Sequence, residues 1–140
     1  MERRHDVREY KLRMDEYGIS GDRYTELKYM CRQYDAMKSK LNRIRMGIDD
    51  PSPRKGNSAA QVKDPTGNNA ARAADSWCAR RIGAIEQAAR VADPSLSKYI
   101  LSNVTRDVRY EEMPVPCGIN QFYRARRRFF WELDQLTQNW

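Results

Sequence analysis

The chain has 140 residues, 40% of them apolar and 32% charged, and carries a net charge of +7. That length fits one ordinary domain with a single core, and the apolar share excludes a disordered, solvating chain. The cationic excess favours an anionic partner such as nucleic acid, an acidic protein or an anionic membrane surface, without choosing among them.

In chain order, "MERRHDVREYKLRMDEYG" places Val7, Tyr10, Met14 and Tyr17 at steps of three and four, which predicts one helical face closed by Gly18 and Gly21. In "DRYTELKYMCRQYDAMKSKLNRIRMGI", Leu27, Met30, Tyr34, Met37, Leu41, Ile44 and Ile48 recur at alternating steps of three and four. This is a heptad seam of about three heptads on one continuous helix. Ser20 or Asp22 caps its start and Gly47 ends it. The seam, in particular Leu27, Met30, Tyr34, Met37, Leu41 and Ile44, serves either packing inside the chain or pairing between chains. A monomer is slightly favoured, because a small-residue stripe downstream offers a partner. Residues 49–65, with Pro51, Pro53, Gly56 and Pro65, read as a linker between an N-terminal segment (1–48) and a second helical domain (66–140).

The second domain opens on an alanine-rich helix in which Ala71, Ala74, Cys78, Ile82, Ile85, Ala89 and Ala92 line one stripe, with Trp77 beside it. Asp93-Pro94 reads as the cap and first position of a short helix with Leu96, Tyr99, Ile100 and Val104 inward. "RDVRYEEMPVPCG" allows at most one short helical turn before Pro114 and Pro116. Then "CGINQFYRARRRFFWELDQL" predicts a long helix with Phe122, Arg126, Phe129, Leu133 and Leu136 on one face. Gln121, Arg124, Arg127 and Arg128 lie opposite. Arg126 interrupts the apolar face and is expected to lay its stem on the core and send its head outward. Gly118 supplies the positive φ of a tight turn, Ile119 plugs the core and Asn120 caps the helix.

Little in the chain supports catalysis. His5 is the only histidine and lies in a charged terminus; no phosphate-cradling glycine loop occurs. The acid set Glu111, Glu112, Glu132 and Asp134 reads as charge balance rather than a metal clamp. Cys31, Cys78 and Cys117 are far apart with no Cys-x-x-Cys, which suits free thiols in a reducing cytoplasm. The N-terminus has no apolar leader, and no apolar run approaches the roughly 18 residues of a membrane span. The expectation is a soluble, cytoplasmic, non-enzymatic protein without cofactor, metal or membrane.

The order of capped helix, short turn, Gly-Ile turn and basic helix fits a helix-turn-helix, whose second helix enters the DNA major groove N-terminal end first. Asn120, Gln121, Arg124, Arg127 and Arg128 are then the DNA-binding candidates, with Gln121 and Arg124 towards bases and Arg127 and Arg128 towards phosphates. Arg80, Arg81 and Arg106 are weaker candidates for phosphate contacts. A run such as "RARRR" without an acid is unusual for a face that is merely solvated.

Residues 64–136, with their Ile-x-x-Ile-Glu core helix, second helix, Gly-Ile turn and Arg-rich helix, resemble ArpU-like and RinA-like late-operon transcription regulators. These belong to phages and prophages of Gram-positive bacteria, and their C-terminal part is similar to region four of sigma factors. The resemblance implies double-stranded DNA as partner, transcription control as function and a bacterial host cell as location. The residues departing from it are "YEEMPVP", which shortens the first helix of the motif, and the heptad-bearing first half. The expectation is therefore an all-α fold of four or five helices: a long antiparallel helical pair carrying a helix-turn-helix-like C-terminus. Two other readings stay open. One is a small phage interaction protein that binds and inhibits a host protein, such as RNA polymerase or another nucleic-acid-handling enzyme. The other is a DNA-recognition subunit of a packaging machine.

Overall fold

The computed structural model describes residues 17–47 and 65–140, with side chains described for 17–47 and 70–140. Val7, Tyr10, Met14, His5, Ile48 and the linker positions 49–64 lie outside the described residues. The described residues are all-α, with five α-helices, one short 3-10 turn and no strand.

Helix α1 (Gly21–Arg32) is capped by Ser20, whose hydroxyl accepts from the Arg23 amide at 3.1 Å. The heptad seam does not run on one continuous helix. Gln33 is a turn residue whose amide donates back to the Met30 carbonyl at 3.1 Å, and a second helix, α2 (Tyr34–Arg45), starts beyond it. Gly47, at φ +74, ends α2 as the sequence suggested, because the left-handed region carries no side-chain penalty for glycine.

Helix α3 (Pro65–Ala92) follows. Asp93 is not the N-cap of the helix that follows, which starts at Ser97 with Leu96 as its N-cap; it heads the turn before that helix. Its carboxylate accepts from the amides of Ser95 and Leu96 at 3.0 and 3.2 Å and opens the turn leading into α4 (Ser97–Arg106). Helix α4 stops at Asp107, which is left-handed at φ 58 and donates its amide to the last turn. The single turn allowed by "RDVRYEEMPVPCG" is a 3-10 turn, Tyr110–Glu112, before α5 (Ile119–Thr137).

The described residues form two compact units that do not follow sequence order. One joins those up to Gln33 with Ala84–Trp140; the other is Tyr34–Gly83. In the first, α1, α4 and α5 pack on one another. Its core holds Leu27, Cys31, Ile85, Ala88, Ala89, Ile100, Phe122, Phe129, Phe130 and Leu133. Phe130 meets Tyr24 of α1 edge-on at 5.0 Å and Phe129 likewise at 5.0 Å, the arrangement favoured by ring quadrupoles. In the second unit, Tyr34, Met37, Cys78 and Ile82 are buried, and Arg45 pairs with Asp75 at 3.0 Å. Of the heptad seam, Leu27, Tyr34 and Met37 are thus buried inside the chain, while Met30, Leu41 and Ile44 stay half-buried.

Candidate nucleic-acid interface

The candidate surface is the outer side of α5, and the way α5 starts decides which residues reach it. Gly118 is the N-cap, with φ −72, so it needs no left-handed backbone and forms no glycine-dependent tight turn. Asn120 is not the cap. Ile119 is the first helical residue, Asn120 the second and Gln121 the third, and the first backbone bond runs from the Phe122 amide to the Gly118 carbonyl at 3.0 Å. Ile119 does not plug the core either; it is 43% exposed.

The arginine cluster is divided. Arg124 is exposed and makes no hydrogen bond or ion pair among the described residues. Arg128 is exposed and reaches Glu132 one turn on at 3.6 Å. Arg126 turns inward. Its Nε donates to Asn103 Oδ1 at 2.6 Å and its Nη1 to the Tyr24 hydroxyl at 3.0 Å, while the guanidinium lies 5.0 Å from the Phe130 ring centre. Its head therefore stays on the core, tying α5 to α4 and α1, instead of pointing to solvent. Arg127 is the larger correction: at 7% exposure it is buried, so it does not share the outer face with Arg124 and cannot meet a phosphate there. Three residues on, Arg127 lies only about 60° around the helix from Arg124, so spacing alone does not reveal its burial.

The acids of α5 are withdrawn from the same surface. Asp134 is buried; its Oδ1 accepts from Arg23 Nε at 2.6 Å and its Oδ2 from Gln138 at 3.1 Å. Arg23 also donates to Thr137 Oγ1 at 2.6 Å. Burial disfavours the Arg23 charge, but its hydrogen bonds to Asp134 and Glu26 and their charges outweigh this and hold its pKa above the usual value. Glu132 keeps a side-chain exposure of only 17% and faces Arg128. The exposed residues of α5 are consequently Ile119, Asn120, Gln121, Arg124, Arg128 and Gln135, with no acid among them.

The weaker candidates are divided between the two units. Arg106 is exposed at the end of α4, in the unit that holds α5. Arg80 and Arg81 lie on α3 in the other unit. The Arg81 guanidinium stacks 4.1 Å from the Trp77 ring centre; burial, then the neighbouring Arg80 charge, lowers its pKa. Tyr24, Arg23 and Asn103, which hold α5 in place, carry no signal in the sequence, since their partners lie 102, 111 and 23 positions away.

No group of three or more metal-ligating side chains occurs among the described residues. No described helix is long and apolar enough to cross a membrane. The chain matches no family model, no curated protein and no solved structure.

Proposed function

We propose that this protein binds double-stranded DNA through the outer face of α5 and acts as a phage or prophage transcription regulator of the type that residues 64–136 resemble. The observation that carries the reading is the acid-free outer face of α5, where Gln121, Arg124 and Arg128 are exposed while Asp134 and Glu132 are held by Arg23 and Arg128. Arginine donates a fork matched to guanine O6 and N7 or to phosphate, and Asn or Gln pairs with adenine. Asn120, Gln121 and Arg124 lie on the first two turns, the part of such a helix that goes deepest into the major groove. Arg128, about 6 Å further along the axis at 1.5 Å per residue, is placed for the flanking phosphates.

A gel-shift titration of duplex DNA at two salt concentrations tests this. Binding that weakens steeply with salt, and weakens further in Arg124→Ala, supports the reading. No duplex binding even at low salt overturns it and leaves the interaction protein that meets an acidic partner surface.

A further inference from the structure

Trp77 is 44% exposed on α3, although an indole is largely covered in most folded chains. The Arg81 guanidinium lies over its ring, 4.1 Å from the centre, and reaches the Trp77 carbonyl oxygen at 3.5 Å. Ring and cation therefore form one surface feature. The indole N–H finds no acceptor among the described residues. Towards the N-terminus, where a helical side chain leans, the same face carries Ala73 and Ala70, both exposed and too small to cover an indole. Arg80, also exposed, sits three residues on from Trp77. The charge of the unit Tyr34–Gly83 is one-sided: Asp35 and Asp75 are the only acids whose side chains are described there, against seven lysines and arginines, and Asp75 is taken by Arg45. Burial, then the Arg80 charge, lowers the Arg81 pKa, so an anion beside the pair would favour its charged form.

We propose that Trp77 and Arg81 form a stacking site for an unpaired base of single-stranded nucleic acid, with Arg80 on the adjacent phosphate. The site is separate from α5 and does not rest on the duplex reading above. Every base presents a flat π face to an indole or a guanidinium, so such a site tolerates sequence, and the arginines answer the backbone charge. An acidic protein patch matches the cations alone; a base with its phosphate matches ring and cations together.

Fluorescence anisotropy of an end-labelled oligothymidylate, set against an abasic strand of the same length and charge, isolates the stacked base. The wild type is expected to hold the base-bearing strand about tenfold more tightly, the scale of one base–aromatic stack. Trp77→Leu keeps apolar bulk on the helix and should bind both strands with the same, weaker affinity. Trp77→Phe keeps a ring and should restore part of the difference, which separates lost stacking from lost folding. Equal retention of the two strands by the wild type would mean charge attraction alone and would overturn the site. So would a base preference that persists in Trp77→Leu, or retention of neither strand.

Discussion

Four arginines between positions 124 and 128 of α5 do three different things, and their surroundings set which. Arg124 and Arg128 face solvent, Arg126 ties α5 to Asn103 and Tyr24, and Arg127 is buried. Since every buried side-chain nitrogen and oxygen among the described residues has a partner, truncating the inner arginines leaves polar groups stranded. Arg127→Ala and Arg126→Ala are each expected to cost about 1–3 kcal/mol in urea denaturation, whereas Arg124→Ala should stay within about 0.5 kcal/mol of wild type. An Arg124→Ala variant that melts far below wild type would mean that α5 turns this side chain towards the core. Asp134→Ala removes the acceptor for Arg23 and should cost about 1.5–3 kcal/mol, since hydrogen bonds to charged groups contribute on that scale.

The thiols give a separate residue-scale test. Cys31 is fully buried, and burial pushes its pKa up to about 12, against the opposing charge of Arg126. The folded pKa lies above the usual thiol value near 8.5, so the stabilisation is complete below that value. It is lost as pH rises towards 12, because the unfolded chain releases the proton first. Stability measured by denaturant titration should fall between about pH 8.5 and 12, and a Cys31→Ser variant should show less of that fall. An aromatic-disulfide thiol assay at pH 8 should label half-buried Cys117 well before buried Cys31 and Cys78.

At the scale of elements, α5 separates packing from contact. Phe129 is fully buried between Phe130 and the helices around it, so Phe129→Ala should cost about 3–5 kcal/mol, read as a lowered denaturation midpoint. Asp93→Ala should cost about 1 kcal/mol, because its carboxylate serves two amides at the start of the α4 turn. Spacing made the inner residues of α4, with its N-cap Leu96, and of α5 legible, because Leu96, Ile100 and Val104, then Phe122, Phe129 and Leu133, recur at helical steps of four and seven. Gly47 was equally plain, since it rests on local backbone chemistry; Asp93-Pro94 marked the turn before α4 but not its first residue, which is Ser97. The break at Gln33 was not, for neither glycine nor proline marks it and the apolar spacing runs straight across it. The start of α5 was misread because Asn is a better cap than Gly by side chain, yet the chain begins the helix one residue ahead of it. Capture of Arg126 depends on Tyr24 and Asn103, brought in from α1 and α4, which no local pattern announces.

Across the whole molecule, the seam is spent largely within the chain. Leu27, Tyr34 and Met37 are buried without a second copy, so sedimentation is expected to give a monomer at tens of micromolar. Leu27→Asp should unfold the protein rather than dissociate an oligomer, because it places a charge in a core without a partner. A stable wild-type dimer that Leu41→Asp converts into a folded monomer would instead assign the half-buried part of the seam to pairing between chains.

The net charge of +7 attracts polyanions in general, so affinity alone does not identify the contact surface. The salt dependence of duplex binding, compared between wild type and Arg124→Ala, does so most directly. The logarithm of the binding constant should fall linearly with the logarithm of salt concentration in the wild type. If Arg124 meets a phosphate, the slope should be about one unit shallower in the variant; if it reads a base, the slope should hold while discrimination at one base position drops by about 1–3 kcal/mol. Identical slope, affinity and sequence preference in the two proteins would contradict the assignment of the outer face of α5 to DNA.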